Sequence, residues 1–386
     1  MERIIGYMNY YMPDYDNCLV NLSNSILKYF GAETSAPTLK IADKLLDKEY
    51  RNVVILLMDA MGVSILEKHL EPGGFLRSHV AGNYSSVFPP TTVAATTSVL
   101  SGLYPDEHGW LGWDVYFPEL DKNVTVFTNN EQCVEADEGT AECPKMKEIV
   151  PAADFNAAFR YCPYKNIITK INEAGGKAYA SMPFMDPFPQ DLDSILDRVE
   201  SLCAEPEKKF IYAYWSEPDH TMHLTGPDSN ETHDLMISLE KKLEEFSSKL
   251  QDTLLIITAD HSQIECKNHV LKDYPEIVNC LVRMPSIEPR ALNFFVKDEY
   301  KKDFPDIFRK YFNDSFLILS KEEVIEKKLF GTAKEHVLFR DMLGDYLAIS
   351  VAEDTIFLTY EEAACMPGGH AGFTKEEMII PLIAVN

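Results

Sequence analysis

The chain is short of positive charge. Of its 386 residues, 36 are Lys or Arg and 61 are Asp or Glu, a formal net charge of −25. Such an excess repels phosphate backbones and anionic lipid, which excludes nucleic-acid polymers and membranes as partners. From Ser78 to Asp121 there is no Lys or Arg at all. No uninterrupted apolar run approaches the roughly 18 residues a spanning helix needs. The opening Met1 to Tyr7 lacks the basic-then-apolar order of a secretory signal. The eight cysteines are scattered without a CxxC pair, which argues against both a cysteine zinc site and a disulfide framework. Reduced thiols and a cytoplasmic location are the expectation.

Hydrophobic residues make up 46% of the chain, enough for a substantial core. Val53 to Met58 is a continuous apolar run, the mark of a strand buried on both faces of a parallel sheet. Lys209 to Trp215, Thr253 to Ala259 and Met378 to Val385 are of the same type. Helical patterns alternate with them at Lys165–Glu173, Leu192–Cys203 and Glu231–Leu250. This alternation predicts an α/β fold, a doubly wound and mostly parallel sheet flanked by helices. Residues 1–50 read as a mostly helical lead-in, with one helix over Asn17–Phe30 capped by Asp16 or Asn17. From 276 to 365 the pattern changes to strands at Ala291–Val296 and Tyr346–Val351 and helices at Phe304–Phe312 and Lys321–Lys328. We read this stretch as an inserted, smaller α+β cap, with 1–275 and 366–386 forming the catalytic core.

The chemistry-bearing residues follow the buried strands. Asp59 ends the first, Asp219 comes shortly after Trp215, and Asp260 with His261 ends the third; sites in open α/β sheets gather at such ends. Asp219 and His223 stand at i and i+4, one face of a helix, although a capping Asp with a surface His fits that spacing equally. Nearby, His220 reads as a supporting residue and His233 as helix surface. Asp59 is a candidate ligand or a helix cap. His370 lies in a turn between glycines, which permit close backbone approach. Thr92 follows Pro89 and Pro90 at the start of a helix rich in Ala, Thr and Ser, where free amides suit an anion. A threonine hydroxyl is a poor nucleophile unless a metal or base activates it. Three carboxylates, three imidazoles and this hydroxyl match what two divalent ions and an activated nucleophile require.

Taken together, these motifs resemble the alkaline phosphatase superfamily, and within it the nucleotide pyrophosphatase/phosphodiesterase-like branch. The resemblance rests on Leu57–Gly62, Phe88–Thr92, Ser101–Gly109, Pro218–His223 with Gly226–Ser229, Thr258–His261 and Gly369–Gly372. It implies an alkaline phosphatase-like core and two metal sites. One site takes Asp219, His223 and His370; the other takes Asp59, Asp260 and His261, with Thr92 as nucleophile between the metals. Zinc is favoured by the mixed nitrogen and oxygen donors, and manganese is compatible with them. The implied reaction is in-line attack by the Thr92 oxygen, a phospho- or nucleotidyl-threonine intermediate, and release by water. One departure stands out. Relatives carry an asparagine on a phosphoryl oxygen where Trp113 stands here; Trp113 would stack on a base or wall the pocket. The sulfatase branch needs a modified Cys or Ser followed by Pro and Arg, which Thr92–Thr96 does not supply.

Two divalent ions against three aspartates leave a residual of about one positive charge, which suits a phosphodiester monoanion better than a monoester dianion. A cation could reach the nucleophile from elsewhere in the chain, such as Arg290 or Lys375. The expected function is therefore a two-metal phosphodiesterase or nucleotide pyrophosphatase acting on small phosphodiesters. A phosphomonoesterase or phosphonate hydrolase on the same metals is the alternative, and a non-catalytic metal- or phosphate-binding protein is the rival of another class.

Overall fold

A computed structural model describes residues 10–134 and 148–386. Met1 to Tyr7 and Cys143 fall outside the described residues; Cys18, Cys162, Cys203, Cys266, Cys280 and Cys365 are free thiols.

The central sheet has six strands in the order β2 (Val80–Ser85), β17 (Ile379–Val385), β8 (Thr253–Thr258), β1 (Asn52–Met58), β7 (Lys209–Trp215) and β6 (Ala178–Ser181). β1 and β8 are buried along their whole length, which is why their sequences are apolar without alternation. The centre of the sheet is parallel: β8, β1, β7 and β6 run the same way. β17 does not share that direction. It pairs antiparallel with both β8 and β2, although its composition matched the parallel strands. The α/β architecture is as expected, a mostly parallel central sheet with helices packed on it.

A second, seven-stranded sheet runs in the order β13 (Phe316–Ser320), β14 (Tyr346–Ser350), β12 (Ala291–Phe294), β11 (Ser286–Glu288), β3 (Asp114–Phe117), β4 (Lys122–Thr125) and β5 (Asn130–Glu131). The expected insert at 276–365 therefore does not bound this sheet, because three of its strands come from 114–131. A single pairing, Ile287 with Asp114, joins the two contributions. Two short ladders complete the strands: β9 (Ile264–Glu265) with β16 (Gly368–Gly369), and β10 (Lys267–Val270) with β15 (Asp354–Phe357).

The predicted lead-in helix forms over Leu19–Tyr29 with Cys18, not Asp16 or Asn17, at the cap position. It is core structure. Ser23 Oγ donates to the Val99 carbonyl at 2.8 Å and Asn24 Nδ2 to that of Gly102 at 2.9 Å. These bonds seat it against the helix Thr92–Ser101, whose small side chains are nearly all buried. Ala94, Ala95 and Val99 of that helix enter the core of the central sheet, while Val93 and Phe88 enter the core under the second sheet. The helix that begins at Thr92 is thus clamped between both cores. Among the described residues, no helix is long and apolar enough to cross a membrane.

Candidate metal centre and active site

Strand register puts the candidate ligands at one height. Leu57 pairs with Thr258 and Met58 with Trp215, so Asp59 and Asp260, each two residues on from a paired position, leave the sheet side by side. Asp59 donates its amide to the Trp215 carbonyl at 3.0 Å, and Asp219 donates its amide to the Asp59 carbonyl at 3.1 Å. Asp59 is not a helix cap; Gly62 holds that position for Val63–His69. A Cβ on Gly62 would lie 2.2 Å from Ser262 Cβ, so glycine is what lets the two strand ends close on each other. Asp219 opens the helix Asp219–Thr225, which holds His223 on its face as the spacing predicts. The β9–β16 ladder pairs Gly369 with Ile264, and this carries His370 back beside His261.

Two groups of ligand atoms result: Asp59, Asp260 and His261, all buried, and Asp219, His261 and His370; within each, the atoms lie within 4.8 Å of one another. His261 stands between them, with its ring stacked on His370 at 4.0 Å between centroids. His223 adjoins the second group through Asp219, Nε2 to Oδ2 at 3.5 Å. His370 Nε2 is 3.9 Å from Asp219 Oδ1. Thr92 Oγ1 is 3.3 Å from Asp59 Oδ2 and 3.3 Å from His261 Nε2. His220 is exposed rather than supporting, and His233 is exposed on its helix as expected.

These residues fit divalent cations on three counts. Each imidazole sets Nδ1 against a backbone carbonyl: His223 against Gly368 at 3.0 Å, His370 against Pro90 at 3.2 Å and His261 against Ser262 at 3.3 Å. A carbonyl only accepts, so the proton sits on Nδ1 and the Nε2 lone pair faces the cluster, the usual orientation of a metal-ligating histidine. Asp260 Oδ1 accepts the amides of Ala60 and His261 at 3.1 and 3.0 Å, yet its Oδ2 is buried with no hydrogen-bond partner. Finally, burial, then Asp260 and Asp219, push the Asp59 carboxyl well above its ordinary range. Burial and the neighbouring His261 and His223 hold His370 well below the usual imidazole value. A cation relieves both pressures at once.

Neither candidate clamp supplies that charge. Arg290 is buried and bound to Glu377 through Nε at 2.8 Å and Nη2 at 2.9 Å, and Lys375 is exposed. Trp113 also sits differently from the expectation. It is 45% exposed, edge-on to Phe127 at 5.9 Å, and does not line the cavity that opens on Thr92. That cavity, of about 330 Å³, is walled by Phe127, Phe159, Tyr164, Phe184, Met185 and Tyr212 and, among the described residues, carries no Lys or Arg. Two supporting residues had no distinct sequence signal. Tyr214 donates its hydroxyl to Asp59 Oδ2, and Gln263 Nε2 donates to Asp219 Oδ1 at 2.6 Å. Their positions, at the end of β7 and two residues past His261, are the only hint.

Residues 53–372 match the family described as type I phosphodiesterase / nucleotide pyrophosphatase. The chain belongs to that family. It is a metal-dependent hydrolase of phosphoric esters, of a group that works with two metal ions. Solved structures with the same fold include murine ectonucleotide pyrophosphatase/phosphodiesterase 5 in an inactive form with AMP, 17% identical over 87% of this chain and 88% of that one, TM-score 0.62. The human counterpart is 16% identical over 86% and 87%, also at 0.62. Phosphonoacetate hydrolase from Sinorhizobium meliloti, in complex with phosphonoformate, is 13% identical over 87% and 90%, at 0.58.

Proposed function

We propose that this family member cleaves small phosphodiesters bearing a flat, uncharged group of nucleotide type, with Thr92 as the nucleophile. The observation that carries this reading is the position of Thr92 Oγ1. It faces Asp59 and His261 on one side and forms part of the wall of the aromatic cavity on the other. A substrate phosphorus held at that boundary has the hydroxyl oxygen for in-line attack and a cavity for one ester group. These aromatic walls, without a charged side chain among the described residues, favour an apolar ring over a second anionic group. This argues for a diester over phosphonate substrates with a carboxylate, which need a cationic partner. AMP in the murine relative is consistent with that choice.

In the reaction, the Thr92 Oγ1–phosphorus bond forms as the bond to the departing ester oxygen breaks. Water then cleaves the phosphothreonine and restores the hydroxyl. Asp59 Oδ2, at 3.3 Å, faces the hydroxyl proton. Asp59, Asp260 and His261 would hold one cation and Asp219, His223 and His370 the other, with zinc matching the donor set and manganese compatible. Such ions supply Lewis acidity and a lowered hydroxyl pKa. The first turn of the Thr92–Ser101 helix presents backbone amides to phosphoryl oxygens.

The test is Thr92→Ala on bis-p-nitrophenyl phosphate. Turnover should fall to background while metal content, by elemental analysis, stays at the parent level. Full turnover would refute Thr92 as nucleophile. A faster rate on p-nitrophenyl phosphate than on the diester would overturn the choice of substrate class.

A further inference from the structure

Glu288 has no part in the reaction above, yet it is held with unusual care. It is 8% exposed, at the end of β11. Its Oε1 accepts the Thr91 hydroxyl at 2.6 Å and the Trp113 amide at 2.8 Å. Ile287, directly before it, has φ of 81°, a strained conformation for a β-branched residue. A Cβ on Gly112 would lie 2.8 Å from the Ile287 carbonyl oxygen, so the loop before Trp113 crosses β11 only because glycine stands there. Strain, burial and a close crossing all serve to bring one carboxyl group to Thr91.

Thr91 is the cap position of the helix Thr92–Ser101, but its side chain makes no capping bond. A threonine there ordinarily turns its oxygen onto the amides two and three residues on, here Val93 and Ala94. Those amides, at the positive end of a helix, are the groups best placed to receive an anion. Glu288 draws the Thr91 hydroxyl the other way.

We propose that Glu288 is a positioning residue: by holding the Thr91 hydroxyl it keeps the Val93 and Ala94 amides open to the oxygens of the phosphoryl group. The inference rests on the reading of Thr92 as nucleophile. Its logic is specific, because the harm done by losing Glu288 comes from the freed hydroxyl and disappears if the hydroxyl is absent.

The experiment measures kcat and KM on bis-p-nitrophenyl phosphate for metal-loaded protein. Glu288→Ala should lower kcat at least about ten-fold, short of the roughly hundred- to thousand-fold lost when a donor to a reacting oxygen is removed outright, with KM changing less than about three-fold. Glu288→Gln keeps an acceptor oxygen for both donors and should stay within about three-fold of the parent. The double variant E288A/T91V should regain at least about five-fold over E288A, which a merely structural role for Glu288 would not produce. A smaller loss in E288A, a larger loss in E288Q, or a smaller gain in the double variant each overturns the proposal. Should E288A fail to fold, T91V alone decides: a fall in kcat below about ten-fold supports the proposal and a larger fall overturns it. Failure of the underlying reading shows separately, as full turnover by Thr92→Ala.

Discussion

Asp260→Asn should make the metal-free protein more stable and the metal-loaded protein less stable. Asp260 Oδ1 accepts two amides, and an asparagine oxygen keeps both bonds. Its Oδ2 has no hydrogen-bond partner and belongs to a group whose ligand atoms, Asp59 included, lie within 4.8 Å of one another. At that separation and an effective dielectric of about 20, two carboxylates repel by about 3 kcal/mol. Protonation of Asp59 already relieves part of this, so the variant should gain about 1–3 kcal/mol without metal. For a chain of this size that is a rise of about 1–4 °C in melting temperature. With metal the order reverses, because the parent gains about 4.1 kcal/mol at a thousand-fold excess over its Kd, while the variant presents an NH2 group to the cation. The pH dependence carries a sign. Asp59 is raised in the folded state, so its contribution to metal-free stability is complete below about pH 4. It is lost as the pH rises through the raised value. Asp260→Asn should flatten that decline. The assay is thermal melting of chelator-treated and zinc-loaded samples at several pH values. Metal-free melting of the variant at or below the parent, with an equal zinc-induced shift in both, would refute the reasoning.

Glu288, carried by burial up to about 8, stabilises the fold fully below about pH 4, and that stability is lost as the pH rises through about 8; Glu288→Gln should remove this loss in melts across the range. Glu377→Ala leaves Arg290 buried and unpaired, and urea unfolding should register a loss of about 3–5 kcal/mol. Restoration of part of it by R290M in the same chain is expected, and a cost below about 1 kcal/mol would show the pair to be dispensable. Phe184, 74% exposed at the cavity, should be removable as F184A without loss of stability. The KM for a nucleoside-bearing diester should then rise about 5- to 150-fold, the value of one stacked base; an unchanged KM would mean that the ring is held elsewhere.

The sequence alone determined the central strands and which carboxylates and imidazoles cluster at their ends. Buried parallel strands are apolar throughout, so Asn52–Met58, Lys209–Trp215 and Thr253–Thr258 announce themselves, and the polar residue that ends such a run has few places to go but the strand-end crevice. The i, i+4 spacing likewise placed Asp219 and His223 on one helical face. What tertiary structure decided are relations between distant segments. Local periodicity is the same for either strand direction, so only pairing with β8 and β2 reveals that Ile379–Val385 runs antiparallel. Nothing near Asp114–Glu131 states that it will extend a sheet built mainly from 286–350. The bond from Thr91 to Glu288 spans 197 residues, and a hydrogen bond across such a separation leaves no trace in the composition around either partner. It exists because two cores meet at the helix that begins with Thr92.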